Sequence, residues 1–123
     1  AHDNVTQVRY PGLKSHPQHQ VAAVQMADFS GMLNFCLDTD LMTNFSFLKE
    51  LHLITHAVSL GHDQSLIIYI PTLFFFEDMV TFDDAQKEKY TQILGDGFFR
   101  FSVGLEDPED IIADLDRGIR SVC

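Results

Sequence analysis

The stretch Gly97-Phe98-Phe99-Arg100-Phe101-Ser102-Val103-Gly104 constrains the fold more than any other, because it sets an arginine among phenylalanines in a run bounded by glycines. Period-two alternation places Phe99, Phe101 and Val103 on one face of a strand, and Phe98, Arg100 and Ser102 on the other. Arg100 therefore shares its face with a bulky aromatic rather than with further charge. A desolvated guanidinium without a partner is costly, and its planar fork matches a carboxylate or phosphate through paired hydrogen bonds. Two readings stand side by side: Arg100 contacts an anionic ligand, or it pairs with one of the chain's own acids or snorkels to water from an edge strand. On the strand alone the second has the greater weight, because structural ion pairs outnumber functional ones.

The segments around this strand read as a mixed fold. Val5, Val8 and Tyr10 lie in an extended arm that stops at the turn signal Pro11-Gly12, so residues 1–14 are expected to serve as a connector. Ser15 and Pro17 mark a helix start, with a helix expected from about His16 to Met26. Gly31 to Leu37 alternates as a mostly buried strand. Asp38-Thr39-Asp40 caps a second helix through roughly Leu51, with Asn44 and Ser46 expected to face outward. Leu53 to Leu60 reads as β-like and ends at Ser59-Leu60-Gly61, where glycine permits a sharp bend and a site could form. Leu66 to Ile70 is a strand closed by Pro71, and Phe74-Phe75-Phe76 is an apolar run in need of cover.

Asp83 and Asp84 precede a polar helix over Ala85 to Leu94, which Gly95-Asp96-Gly97 ends. The last segment is the clearest helix: Pro108 in the first turn, Glu109 and Asp110 at the positive dipole end, and Ile111, Leu115, Ile119 and Val122 along one face. Glu106-Asp107, like Asp83-Asp84, is explained by capping rather than by catalysis. The simplest assembly is an α+β two-layer sandwich, a mainly antiparallel sheet of about four strands with helices packed on one face.

Composition narrows the partners. With 123 residues one domain is expected, and a formal charge of −10 argues against nucleic acid or an anionic membrane as partner. The apolar runs fall far short of the ~20 residues that span a bilayer. Cys36 and Cys123 show no paired spacing, so free thiols in a reducing compartment, and a soluble cytoplasmic protein, are expected.

Tyr10-Pro11-Gly12-Leu13-Lys14-Ser15-His16-Pro17, Gln25, Ala57-Val58-Ser59-Leu60-Gly61 with Ser65-Leu66, Phe99 to Asp107, and Ile112-Ala113-Asp114-Leu115 occur in an order that resembles the C-terminal domain of the Cys/Met-metabolism pyridoxal-phosphate enzymes. That family holds methionine γ-lyase, the cystathionine lyases, cystathionine γ-synthase and the O-acylhomoserine sulfhydrylases, all of the aspartate-aminotransferase-like fold type. The resemblance implies that residues 15–123 form the small C-terminal domain. It implies further that Ser59, the backbone around Leu60, and Arg100 hold the α-carboxylate of an amino-acid substrate. Pyridoxal phosphate, its Schiff-base lysine and its phosphate contacts are implied to belong to a larger preceding domain that nothing here resembles. That large domain, the amino-acid substrate and further copies of the chain are the implied partners.

Lys14, Lys49, Lys87 and Lys89 sit in a turn or on polar helix faces, without the apolar setting that depresses an amine's pKa, so the chain alone is not expected to catalyse. Where the family usually has a histidine after Pro71, Phe76 stands here. His16 and His19 are spaced for a metal but lack acid or cysteine partners, and a solvated helix start is the expected role. His56 reads as a sheet histidine and His62 as a loop residue near substrate in a complete enzyme. Two functions are thus carried forward: the substrate-binding domain of a carbon–sulfur lyase or γ-replacement enzyme, or a free-standing dimerisation or small-anion-binding module derived from it.

Overall fold

In a computed structural model that describes residues 2–74 and 81–123, the elements run β1 (Val5–Arg9), α1 (His19–Gln25), β2 (Met32–Leu37), α2 (Leu41–Lys49), β3 (Thr55–His56), β4 (Leu66–Pro71), α3 (Thr72–Phe74), α4 (Asp84–Leu94), β5 (Gly97–Ser102) and α5 (Pro108–Val122). The strands form one five-stranded sheet in the order β1-β2-β5-β4-β3. Three pairings are antiparallel, and β3 alone runs parallel to its neighbour β4. The α+β class and the mainly antiparallel sheet are as expected, but the strand count is five.

The extra strand comes from the arm ahead of Pro11. Val5 lies opposite Leu37 and Val8 opposite Phe35, so the arm is drawn into the sheet as an edge strand rather than running as a free connector. At the other edge the expected strand over Leu53 to Leu60 shrinks to Thr55–His56, paired with Leu66 and Ile67. The parallel ladder straightens Thr55 and His56, and beyond it the chain turns away.

Alternation along β5 sorts the sheet into two faces as read from the sequence. Phe99 and Phe101 are buried with Phe35, Ile67 and Tyr69 under α2 and α5, which bring Phe47, Leu48, Ile111 and Ile119. The Phe35 and Phe99 rings stack at 4.9 Å, and Phe47 meets Phe99 edge-on at the same separation. Aromatic contacts of this kind add to the area buried, and burying a phenylalanine stabilises by about 1.5–3 kcal/mol.

The helix ends follow local chemistry. Asp40 accepts the Thr43 N–H at 2.8 Å, Asp83 and Gln86 form a reciprocal capping box, and Asp107 accepts the Glu109 N–H at 2.9 Å ahead of Pro108. Two local expectations fail. Asn44 is buried, not outward-facing, because its amide side chain answers Thr39, whose hydroxyl donates to it at 2.9 Å. α1 begins at His19 rather than His16: successive four-residue turns, Leu13 to His16 and His16 to His19, precede it, and no side chain caps it. Phe75 and Phe76, within the apolar run, lie outside the described residues.

Candidate functional site

The site is built on the face of the sheet opposite the core. Arg100 occupies the central strand β5 between Asn34 of β2 and Ile68 of β4, half-buried by its neighbours. After β3 the Ala57 N–H still reaches the Ile67 carbonyl at 3.0 Å, and the chain then bends past β4 toward β5. Gly61 carries this bend at a φ of 70°, in the left-handed region that glycine enters without a Cβ penalty. Its N–H donates to the Ser102 hydroxyl at 2.9 Å, and the Arg100 Nη2 donates to the carbonyls of Val58 and Ser59, the latter at 3.4 Å.

The residues singled out from the sequence, Ser59, Leu60 and Arg100, are therefore brought together although 40 residues separate the bend from the strand. Ser59 and Leu60 are exposed, and Val58 is 73% and Leu105 86% exposed nearby in the chain. Arg100 makes no ion pair among the described residues, so the reading in which an internal acid neutralises it is not what the geometry presents. A guanidinium has five N–H donors in a fixed fork. The two carbonyls occupy Nη2 alone, while Nε and Nη1 have no hydrogen-bond partner among the described residues. Chemically this is a cation anchored on one side and unmatched in charge, the condition for recognising a carboxylate or phosphate.

Other sequence candidates fall elsewhere. His19 is half-buried rather than fully solvated: its Nδ1 lies 2.8 Å from the Pro11 carbonyl and its ring stacks on Phe29 at 5.6 Å. The Nδ1 of His16 instead accepts the Gln18 N–H, and no cluster of His, Cys, Asp or Glu fit for a metal occurs among the described residues. His56 is exposed in β3. His62 is exposed beside Asp63 at 3.1 Å, and the hydrogen bond from the imidazole lowers the pKa of that carboxylate. Cys36 is half-buried, and desolvation raises the pKa of its thiol.

Lys14, Lys49 and Lys89 are exposed, and Lys87 stands 4.0 Å from Asp84 on α4. None of these amines is enclosed in an apolar setting.

Glu106 is the residue near the candidate site whose role the local pattern does not give. It does not cap α5; its Oε1 accepts the Ser65 N–H at 2.6 Å and its Oε2 accepts the Ser65 hydroxyl at 2.8 Å. Its place in the motif with Ser65-Leu66 was the only signal available, since the contact spans 41 positions.

No helix among the described residues is long and apolar enough to cross a membrane. Residues 1–120 match the model of the Cys/Met metabolism PLP-dependent enzymes. The chain is 44% identical over 115 residues to a canavanine γ-lyase of Pseudomonas canavaninivorans, covering 92% of this chain and 27% of the relative. It is 39% identical over 117 residues to mouse cystathionine γ-lyase, covering 95% of this chain and 28% of the relative. Among solved structures, cystathionine γ-synthase from Xanthomonas oryzae pv. oryzae superposes with a TM-score of 0.78 at 33% identity, over 99% of this chain and 30% of that one. The chain thus spans less than a third of the length of these relatives. With a family match over almost its whole length and a solved relative that shares its fold, the chain belongs to the Cys/Met metabolism PLP-dependent enzyme family.

Proposed function

We propose that this chain is the C-terminal, substrate-carboxylate-binding domain of a pyridoxal-phosphate enzyme of sulfur amino acid metabolism, a carbon–sulfur lyase or γ-replacement enzyme. One observation carries the reading: the Arg100 guanidinium is held on the carbonyls of Val58 and Ser59 with no described acid beside it. In this reading Arg100 clamps the α-carboxylate of the amino acid, while Ser59 and the backbone around Leu60 line it. Fixing the carboxylate fixes the direction of the Cα–H bond, and orientation of this kind is a large part of what a protein adds to a cofactor reaction.

The cofactor's ring, phosphate and imine contacts belong in this reading to a large domain outside these residues. The methionine and cystathionine γ-lyases among the relatives support a sulfur amino acid, while the canavanine γ-lyase acts on an amino acid with oxygen on the γ-carbon, so what the three names share is cleavage at that carbon. Assembly of further copies around the large domain completes the proposed enzyme.

The test replaces Arg100 in the holoenzyme that joins this chain to its large domain. Arg100→Ala is expected to raise KM for the amino acid about 100-fold, the loss of one charge-assisted pair. Arg100→Lys recovers only part, because an ammonium lacks the fork. An unchanged KM in Arg100→Ala would overturn the reading.

A further inference from the structure

Two side chains hold the bend onto the strand that carries Arg100, and neither needs to touch a ligand to do so. Ser102 lies on the same face of β5 as Arg100, opposite Leu66 in the ladder, and it is 3% exposed. Its hydroxyl accepts the Gly61 N–H, so the strand grips the bend at two points, Arg100 on the carbonyls of Val58 and Ser59 and Ser102 on the amide two residues further on. The return of the bend is gripped from the other side. Glu106 takes both donors of Ser65, whose backbone and side chain together satisfy its two oxygens.

The Ser65 hydroxyl in turn accepts the Gly104 N–H at 2.9 Å, and the Leu105 N–H donates to the Asp63 carbonyl at 2.8 Å. The two chain segments are so close here that a Cβ on Gly104 would stand 2.4 Å from both the Ser65 nitrogen and the Glu106 Oε2. No side chain fits in that gap. Ser65 is fully buried, so the anchor is rigid, whereas Ser59 and Leu60 are exposed and depend on the attachments at Arg100, Ser102 and Ser65 to set their position.

We propose that Ser102 and Glu106 are positioning residues for the carboxylate site: Ser102 sets the height of the bend over Arg100, and Glu106, through Ser65, locks its return. The assignment rests on the reading of Arg100 as the carboxylate clamp. Without the two anchors the carbonyls of Val58 and Ser59 drift, and with them the guanidinium they hold. Misplacement by a fraction of an ångström weakens a paired hydrogen bond steeply, because its strength depends on distance and angle.

The experiment compares Ser102→Ala, Ser102→Thr and Glu106→Gln with Arg100→Ala in the holoenzyme. Each is measured with an amino-acid substrate and with the matching α-carboxamide as a competitive ligand. Ser102→Ala and Glu106→Gln are expected to raise KM for the amino acid about tenfold, the worth of a single hydrogen bond, with kcat and carboxamide affinity unchanged. Ser102→Thr, which keeps the hydroxyl, restores KM.

If Arg100→Ala abolishes the preference for carboxylate while Ser102→Ala and Glu106→Gln leave it intact, the positioning role is wrong and the clamp stands. If Arg100→Ala leaves the preference intact, the clamp itself is wrong and the positioning role falls with it. Amide exchange in the unsubstituted enzyme gives a check that needs no variant to fold: protected N–H groups at Gly61 and Ser65 support the two anchors, and free exchange at both overturns them.

Discussion

Asp114 puts a charge where the fold has little water. It lies in α5, 2% exposed, and accepts the N–H groups of His52 and Leu53 at 3.0 Å and of Ile54 at 2.9 Å, with Arg117 as its ion partner. Desolvation works to raise its pKa, but the N–H groups of Ile54, His52 and Leu53 and the Arg117 hydrogen bond outweigh it and hold the carboxyl below its ordinary value. A depressed folded pKa means stability that is present above the unfolded value, about 3.9, and is lost as pH falls through the folded one.

Asp114→Ala leaves three N–H groups without their acceptor, that of Ile54 buried and those of His52 and Leu53 partly so, and is expected to cost about 3 kcal/mol, read as a lower urea midpoint. Asp114→Asn should flatten the fall in stability between neutral pH and pH 3, and an equally steep fall would show that other carboxylates carry it. At this scale legibility divides by distance along the chain. Asp40, Asp83 and Asp107 are legible as caps because a cap bonds within three residues. Asp114 and Glu106 bond across 60 and 41 positions, and no local pattern marks that.

Among the elements, α5 shows what periodicity misses. Its apolar stripe predicted Ile111, Leu115, Ile119 and Val122 toward the sheet, and all four pack on the core. The stripe is widened by Gly118, a buried position that hydrophobicity alone passes over. A Cβ there would sit 2.9 Å from the Phe47 ring and 3.0 Å from Leu51, so α2 approaches α5 closely because nothing projects at that point. Phe47 is fully buried and has no room to yield. Gly118→Ala gains helix propensity of about 1 kcal/mol and loses a similar amount or more to overpacking. Gly118→Val removes the ambiguity, with an expected loss of about 2 kcal/mol or more in a thermal or urea melt; a neutral result would mean that α2 shifts freely on α5.

β3 was the hardest element to read, since its two paired residues owe their conformation to Leu66 and Ile67 rather than to their own alternation. β5 was the easiest because it is central, and its pattern answers to a neighbour on each side.

At the scale of the whole molecule, charge and sheet geometry act on different things. The balance of Lys+Arg 8 against Asp+Glu 18 leaves a formal charge of −10, and part of the positive charge is already engaged: Arg117 with Asp114, Arg120 with Asp116, Lys87 with Asp84. Arg9 is turned to the Ile93 carbonyl and Arg100 to those of Val58 and Ser59, so neither neutralises a neighbouring acid among the described residues. The folded chain therefore carries a self-repulsion that the expanded unfolded chain relieves.

Screening works over about 30 Å at 10 mM salt and about 8 Å at 150 mM, the first comparable to a domain and the second to a single contact. Raising NaCl across that range should lift the unfolding midpoint by a few degrees, because long-range repulsion is screened before the short ion pairs are. The exposed Arg120–Asp116 pair loses little, because water already screens a pair at the surface. A midpoint that falls with added salt would mean that local pairs dominate.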